Sequence, residues 1–172
     1  MSSYSRDQKE EMEKAARAGD GAALEALVKQ HGVDIAAADL GHGYTALHYI
    51  TGNADDAAAS GKAITQFIAA AGAAIDIDAR DGWGRTPIHY ASRYGKLHHV
   101  RALLRCGASV DVKNNGRRTP TSSCCAFSGA NKANKAAILA LLSDPASASA
   151  SASSSDTAQA NQVQHSAVRV RV

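Results

Sequence analysis

One stretch of the chain, residues 81–112, constrains the fold more than any other. It opens with Asp-Gly-Trp-Gly, in which two glycines supply the backbone freedom that a tight turn needs. Thr86 and Pro87 follow as a helix start, because a threonine hydroxyl can accept from free amides and proline is tolerated at the first helical position. Apolar residues then recur at helical spacing up to Gly95, and again up to Gly107. The stretch therefore predicts a turn followed by two short helices.

The same order of features recurs along the chain. Thr45 lies 41 residues before Thr86, and Thr119 lies 33 residues after it. The beginning of the chain repeats the two helical patterns, with acidic residues in the first turn, where the helix dipole favours them. We predict one domain over residues 6–144, built from four units at 6–38, 39–80, 81–113 and 114–144, of which the outer two act as caps. About three stacked repeats suffice to bury a continuous core.

Two segments of the third unit carry a resemblance to a known family. Residues 84–91 read Gly-Arg-Thr-Pro-Ile-His-Tyr-Ala, and residues 103–108 read Leu-Leu-Arg-Cys-Gly-Ala. Both closely resemble the ankyrin repeat signature. The resemblance implies an all-α ankyrin-repeat solenoid of stacked helix-turn-helix units with projecting β-hairpin or turn fingers. It also implies that His48 and His89, at the same repeat position, hydrogen-bond the backbone between neighbouring units.

Two units depart from the regular spacing. The second unit is eight residues longer than the third, and about five of these fall in Asn53–Lys62, where we expect a longer inner helix or a longer loop. The fourth unit has Thr121 and Ser122 where the family has Leu-His, and a similar expansion at residues 129–133. We expect Cys124 and Cys125 to lie on a short inner helix, and leave open whether this unit packs as a full repeat or as a loose cap.

The two ends of the chain have different compositions from the repeats. Residues 1–5 are predicted to be flexible, and residues 145–172 form a Ser/Ala-rich tail with too few apolar residues to fold. The tail ends in Val170-Arg171-Val172, which resembles one class of PDZ ligand, but a disordered tail with incidental alternation is the favoured interpretation. There is no signal peptide and no apolar run of about 20 residues, so we expect a cytoplasmic or nuclear protein that does not enter a membrane.

The charge is unevenly spread. Residues 1–80 carry a net charge of −5 and residues 81–172 a net charge of +8, with +6 in residues 81–120 alone. A basic patch of this kind indicates an acidic partner surface, a nucleic acid, or simply a solvated helix surface.

No motif for catalysis or for a cofactor is present. The sequence has no glycine-rich phosphate loop and no nucleophile with a base at a motif spacing. We therefore predict a non-enzyme without cofactor or metal. The alternative is an enzyme-associated role with a small-molecule or metal site near His98 and His99, although no Cys or carboxylate stands at a zinc-ligand spacing from them.

Binding is better supported than catalysis. In an ankyrin array the turns project as fingers and the inner helices line a groove, so side chains at both places are free for a partner. Aromatic and arginine side chains, the types that dominate interface hot spots, occupy these places. The finger positions hold His42, Tyr44, Trp83, Arg85, Arg117 and Arg118, and the inner-helix positions hold Tyr49, Tyr90, Arg93 and Tyr94.

These residues predict a monomeric, non-catalytic protein-interaction module that acts as an adaptor or a regulatory subunit. Its partner would be another protein with an acidic surface. The alternative is nucleic-acid binding through the basic residues between 85 and 118, with Trp83 or Tyr94 stacking on bases.

Overall fold

The computed structural model describes residues 4–127 and 130–146, so the predicted tail from residue 147 onward, with its terminal Val-Arg-Val, lies outside them. The described residues form seven α-helices, three short 3₁₀ segments and no β-strand. The helices are α1 (Arg6–Ala18), α2 (Gly21–His31), α3 (Ala46–Asn53), α4 (Ala58–Ala71), α5 (Pro87–Tyr94), α6 (Leu97–Arg105) and α7 (Lys135–Ser143). The 3₁₀ segments are Val33–Ala37, Gly72–Ala74 and Lys132–Asn134.

The helices pack in two rows. The inner row consists of α1, α3 and α5, each in contact with the next, and the outer row of α2, α4, α6 and α7. Each of the first three units contributes one helix to each row, and a turn precedes the inner helix of the second and third units. This arrangement confirms the predicted all-α solenoid of stacked helix-turn-helix units with projecting turns.

The core lies between the two rows and continues from the first unit to the last. Its members occur at the i, i+3, i+4 spacing that brings side chains to one face of a helix. Burying an aliphatic or aromatic side chain of this size stabilises a fold by about 1.5–3 kcal/mol. The large side chains with no exposed surface include Met12, Leu24, Leu47, Ile64, Phe67, Ile88, Leu103 and Ile138.

The helix ends are capped by polar side chains and by glycine. α1 begins at Arg6, directly after the segment that the sequence predicts to be flexible, and Ser5 of that segment caps it: the Ser5 hydroxyl accepts from the Gln8 amide and the Gln8 side chain accepts from the Ser5 amide. Asp20 caps α2 through the Ala23 amide at 3.0 Å. Gly95 ends α5 at a φ of 71°, a left-handed conformation in which glycine costs least.

The expansion of the second unit does not lengthen its inner helix. α3 has eight residues, as α5 does, and the extra residues form the loop between α3 and α4 together with a longer α4. This loop caps the third unit, since the Asp56 carboxylate accepts from the amides of Leu97 and His98 at 2.9 Å each. In return, the Lys96 ammonium donates to the carbonyl oxygens of Gly52 and Ala54, at 2.9 and 2.6 Å.

The prediction of an inner helix in the fourth unit is wrong. Residues 120–125 form successive turns, and the chain leaves the helical conformation at Cys125, whose φ is 53°. The amide of Cys125 donates to the Ser92 carbonyl at 2.9 Å. Because Ser92 belongs to α5 of the third unit, this bond joins two units and is not part of a helix. The helix does not form because Thr121 and Ser122, at the positions of Ile88 and His89, remain exposed and bury nothing.

Candidate partner-binding face

Three turns form a ladder along one side of the molecule. In each turn one side-chain oxygen accepts from two backbone amides of the same turn, and the three residues that supply it are Asp39, Asp81 and Asn114. The turns are also joined to one another. The Gly82 amide donates to the His42 carbonyl at 2.8 Å, and the Asn115 amide donates to the Trp83 carbonyl at 3.0 Å. The turns therefore present their side chains from a fixed backbone.

Two buried histidines, His48 on α3 and His89 on α5, each join their inner helix to the turn of the following unit. The Thr45 amide donates to Nδ1 of His48 at 3.1 Å, so Nε2 carries the proton and donates to the Arg85 carbonyl at 3.0 Å. His89 repeats this pattern with the Thr86 amide and the Arg118 carbonyl. Burial lowers the pKa of both rings and keeps them neutral. The predicted bonds between units are thus confirmed.

Five aromatic rings form a continuous row on the inner helices and turns. We call this the aromatic row, and it runs through Tyr49, Tyr44, Tyr90, Tyr94 and Phe127. Successive ring centres lie 5.3, 5.7, 6.3 and 4.8 Å apart. Spacings of this size are typical of favourable aromatic pairs, so the row holds together across three units.

Tyr90 is part of this row but is not exposed, which corrects the expectation that it projects freely. Its hydroxyl donates to Asp81 Oδ2 at 2.6 Å and contacts the Tyr44 hydroxyl at 2.5 Å. Burial and the bond to Asp81 raise the pKa of the Tyr90 hydroxyl. Tyr90 therefore holds the third turn against α5 rather than offering a surface to a partner.

Trp83 lies at the tip of the third turn, and 51% of its surface is exposed. Its ring meets Tyr44 edge-on at 6.1 Å between centres, and the Arg85 guanidinium lies 5.4 Å from the Trp83 ring centre. Arg85 also donates to the Tyr90 hydroxyl at 3.3 Å. The structure thus brings together the predicted aromatic and arginine residues of the second and third units.

Two contributors to this face were not predicted. Phe127 is 40% exposed and meets Tyr94 edge-on, so it extends the aromatic row into the fourth unit. Arg17 of the first unit places its guanidinium 4.9 Å from the Tyr49 ring centre, at the opposite end. Phe127 was not predicted because the sequence suggested an inner helix in the fourth unit, and this helix does not form. Arg17 was not predicted because the first unit has no turn motif to mark its position.

The remaining predicted residues occupy the turns and the lining of a cleft. His42 and Arg117 are exposed at the tips of the second and fourth turns, at φ values of 55° and 58°. Arg93 on α5 and Arg118 in the fourth turn lie on either side of a cleft of about 300 Å³, which Trp83 and Arg85 also line.

His98 and His99 do not form a common site. His99 is fully buried, and its Nε2 lies 3.1 Å from the Asp55 carbonyl and 3.0 Å from the Ser60 hydroxyl, whereas the His98 side chain is only half-buried. Burial lowers the pKa of His99 to about 4. His99 therefore has a structural role between α6 and the loop before α4.

Two further properties concern the described residues alone. Within residues 4–127 and 130–146, no group of three or more His, Cys, Asp or Glu side chains is placed to hold a metal ion. No helix in this part of the chain has the length and apolar character needed to cross a bilayer.

The comparisons with known proteins agree with this architecture. Residues 55–152, more than half of the chain, match the family described as ankyrin repeats (3 copies). The chain is also 41% identical over 49 residues to an ankyrin repeat protein of Rickettsia conorii, a match that covers 27% of this chain and 69% of that protein. The chain therefore belongs to the ankyrin repeat family. Ankyrin repeats are generally non-catalytic modules that bind other proteins.

Proposed function

We propose that this chain is an adaptor or regulatory subunit that binds a partner protein through the face formed by the aromatic row and the second to fourth turns. The observation that carries the proposal is the position of Trp83, a large aromatic side chain that is half exposed on a backbone held by hydrogen bonds on both sides. A rigid exposed tryptophan loses little conformational entropy on binding, which is why this residue type dominates interface hot spots.

The aromatic row, which Trp83 meets at Tyr44, supports the same face. Tyr94 is half-buried, and Phe127 beyond it is exposed, so apolar surface continues along the row for at least two units. Soluble proteins seldom expose contiguous apolar surface, and where they do, it commonly belongs to an interaction site. Val33, the other large exposed apolar residue of the described chain, lies far along the sequence in the first unit and belongs to no such row.

The test is affinity capture by the full chain and by a Trp83→Ala/Tyr94→Ala variant, with captured proteins quantified by mass spectrometry. Tyr90 is not substituted, because it is buried and its loss would disturb the fold. Truncation of one hot spot costs about 2 kcal/mol or more, which is about 30-fold in affinity, so we expect the pair to weaken partner binding by more than about 30-fold.

The matched control is Val33→Ala, which removes exposed apolar surface elsewhere. It should leave capture unchanged, and circular dichroism should show equal helicity in all three proteins. If the Trp83→Ala/Tyr94→Ala variant captures the same proteins as the native chain, the proposal that this face binds the partner is wrong.

A further inference from the structure

The cleft beside Trp83 has a composition that the aromatic row does not explain. It has a volume of about 300 Å³ and lies between the third turn, the fourth turn and α5. Its walls include Trp83, Arg85, Arg93, Asn115, Arg118 and Ser123. Three of these side chains are guanidinium groups, and none of the residues that line the cleft is acidic.

None of the three cleft arginines forms an ion pair with a described carboxylate, and only Arg85 is near one, since its partner, the Tyr90 hydroxyl, donates to Asp81. Ion pairs join Arg6 to Glu10, Arg17 to Glu13 and Lys29 to Glu25, all within the first unit. The three positive charges that line this cleft repel one another, and an anion placed among them would relieve that repulsion.

The walls of the cleft are held in place before any ligand arrives. The Asn115 amide and side chain bind the Trp83 and Gly82 carbonyls, at 3.0 and 3.2 Å, which fixes the fourth turn to the third. The carbonyl of Arg118 is held by the buried His89 ring at 3.0 Å. A site whose backbone is already fixed spends less of its binding free energy on ordering.

From this geometry we infer that the cleft binds an oxyanion on a peptide side chain, either a carboxylate or a phosphate. Guanidinium groups suit both anions, because their planar N–H donors match two oxygens at once. The inference rests on the proposed function, since the peptide is assigned to the partner. A peptide is favoured because Trp83, which lines the cleft, also meets Tyr44 of the aromatic row at 6.1 Å between ring centres, so residues beside the anion would meet that row.

The site carries its own reporter, since Trp83 is the only tryptophan of the chain. Its fluorescence is followed while the full chain is titrated with three peptides: hexaglutamate, hexaglutamine, and hexaglutamine with one phosphoserine at its centre. We expect a saturable change with hexaglutamate, with the phosphoserine peptide, or with both, and none with hexaglutamine. The peptide that binds identifies the source of the oxyanion.

Three variants locate the effect. Arg93→Gln and Arg118→Gln each remove one charged donor from the cleft and should weaken peptide binding about tenfold or more. Arg105→Gln removes the same charge from the exposed surface of α6 and should change binding less than twofold. Equal weakening by all three variants would mean that binding follows net charge, and the inference would be overturned.

Two other outcomes would also overturn it. The first is a Trp83 fluorescence that does not respond to either anionic peptide. The second is tighter binding of an oligothymidylate than of either peptide, with a strong decrease as salt rises, which would assign the cleft to nucleic acid. If the cleft variants bind normally but Trp83→Ala/Tyr94→Ala loses its partner, the oxyanion site is wrong and the proposed function stands.

Discussion

The third and fourth units both begin with Thr-Pro, yet only the third builds an inner helix. In the third unit, Ile88 is fully buried and His89 reaches the next turn with its Nε2. In the fourth, Thr121 and Ser122 stand at these positions, both exposed, and the described hydrogen bonds of Ser122 all go to Thr119. A helix start is therefore not sufficient here, because a short helix depends on the apolar face that it buries.

The fourth unit takes a different role as a consequence. The amides of Cys125, Phe127 and Asn131 donate to the carbonyls of Ser92, Arg93 and Tyr94, at 2.9, 3.4 and 3.2 Å. These carbonyls belong to the last turn of α5, where the carbonyls of Arg93 and Tyr94 have no acceptor role within the helix. The fourth unit thus caps the third and places Phe127 beside Tyr94.

The largest expected difference between the two units comes from the histidine position. His89→Ala leaves the buried Thr86 amide without a partner and leaves the Arg118 carbonyl with the Asn114 amide alone, so we expect the free energy of unfolding to fall by about 3 kcal/mol. Ser122→Ala, at the equivalent position of the fourth unit, should change it by less than about 0.5 kcal/mol. Urea denaturation measures both, and similar losses would remove the contrast between the units.

Acid should affect the third unit through its buried histidines, whereas residues 114–144 contain no histidine. Burial lowers the pKa of His99 to about 4, while an unfolded histidine titrates near 6.5. The unfolded state therefore binds the proton first. The stability present above pH 6.5 is lost as the pH falls towards 4.

Between pH 7.5 and 5.0 this histidine alone should cost about 2 kcal/mol of unfolding free energy. His99→Gln should reduce the difference between urea titrations at the two pH values by about that amount. An unchanged pH dependence in this variant would show that His99 is not held neutral.

The loop of the second unit should contribute a smaller amount to the third. Asp56→Ala removes the acceptor for the first amides of α6 and should lower the free energy of unfolding by about 1–2 kcal/mol. Asp55→Ala is the matched control, because the Asp55 side chain is exposed and only its carbonyl is used. Equal effects of the two substitutions in thermal denaturation would contradict the capping role.

The smallest expected effect is a gain in stability, produced by placing glycine at the position in the fourth turn that Gly84 occupies in the third. Arg117 has a φ of 58° where Gly84 has one of 69°. A left-handed conformation costs a residue with a Cβ roughly 1 kcal/mol, so Arg117→Gly should raise the free energy of unfolding by about that amount. A loss of stability instead would mean that the Arg117 side chain makes a compensating contact.

Much of the fold could be predicted from the sequence because its signals are local. The Thr-Pro start, the glycines after α5 and α6 and the apolar spacing all act within one unit, and the structure has helices where these signals agree. The bonds of His48 and His89 to the next turn were implied by the resemblance to the ankyrin repeat family. The missing helix of the fourth unit could not be foreseen from Thr119 and Pro120, because the decision depends on what the following residues bury.

The face around Trp83 was predicted less completely, since its arrangement depends on contacts between units. Four predicted residues lie where a partner can reach them: Trp83, Arg85, Tyr94 and Arg118. Tyr90 is buried instead, and its hydroxyl donates to the carboxylate of Asp81, nine residues away. Phe127 joins the row only because the backbone of the fourth unit bonds to α5. Neither contact leaves a pattern in the sequence.

The proposal that the chain binds a partner through the face around Trp83 can be tested most directly by photo-crosslinking in cells. A benzoylphenylalanine is placed at residue 83 in one protein and at residue 33 in another, two positions where a large apolar side chain is exposed, 51% and 45% respectively. We expect a discrete crosslinked protein from position 83 and none from position 33. Equal crosslinking from both positions, or crosslinking from position 33 alone, would contradict the proposal.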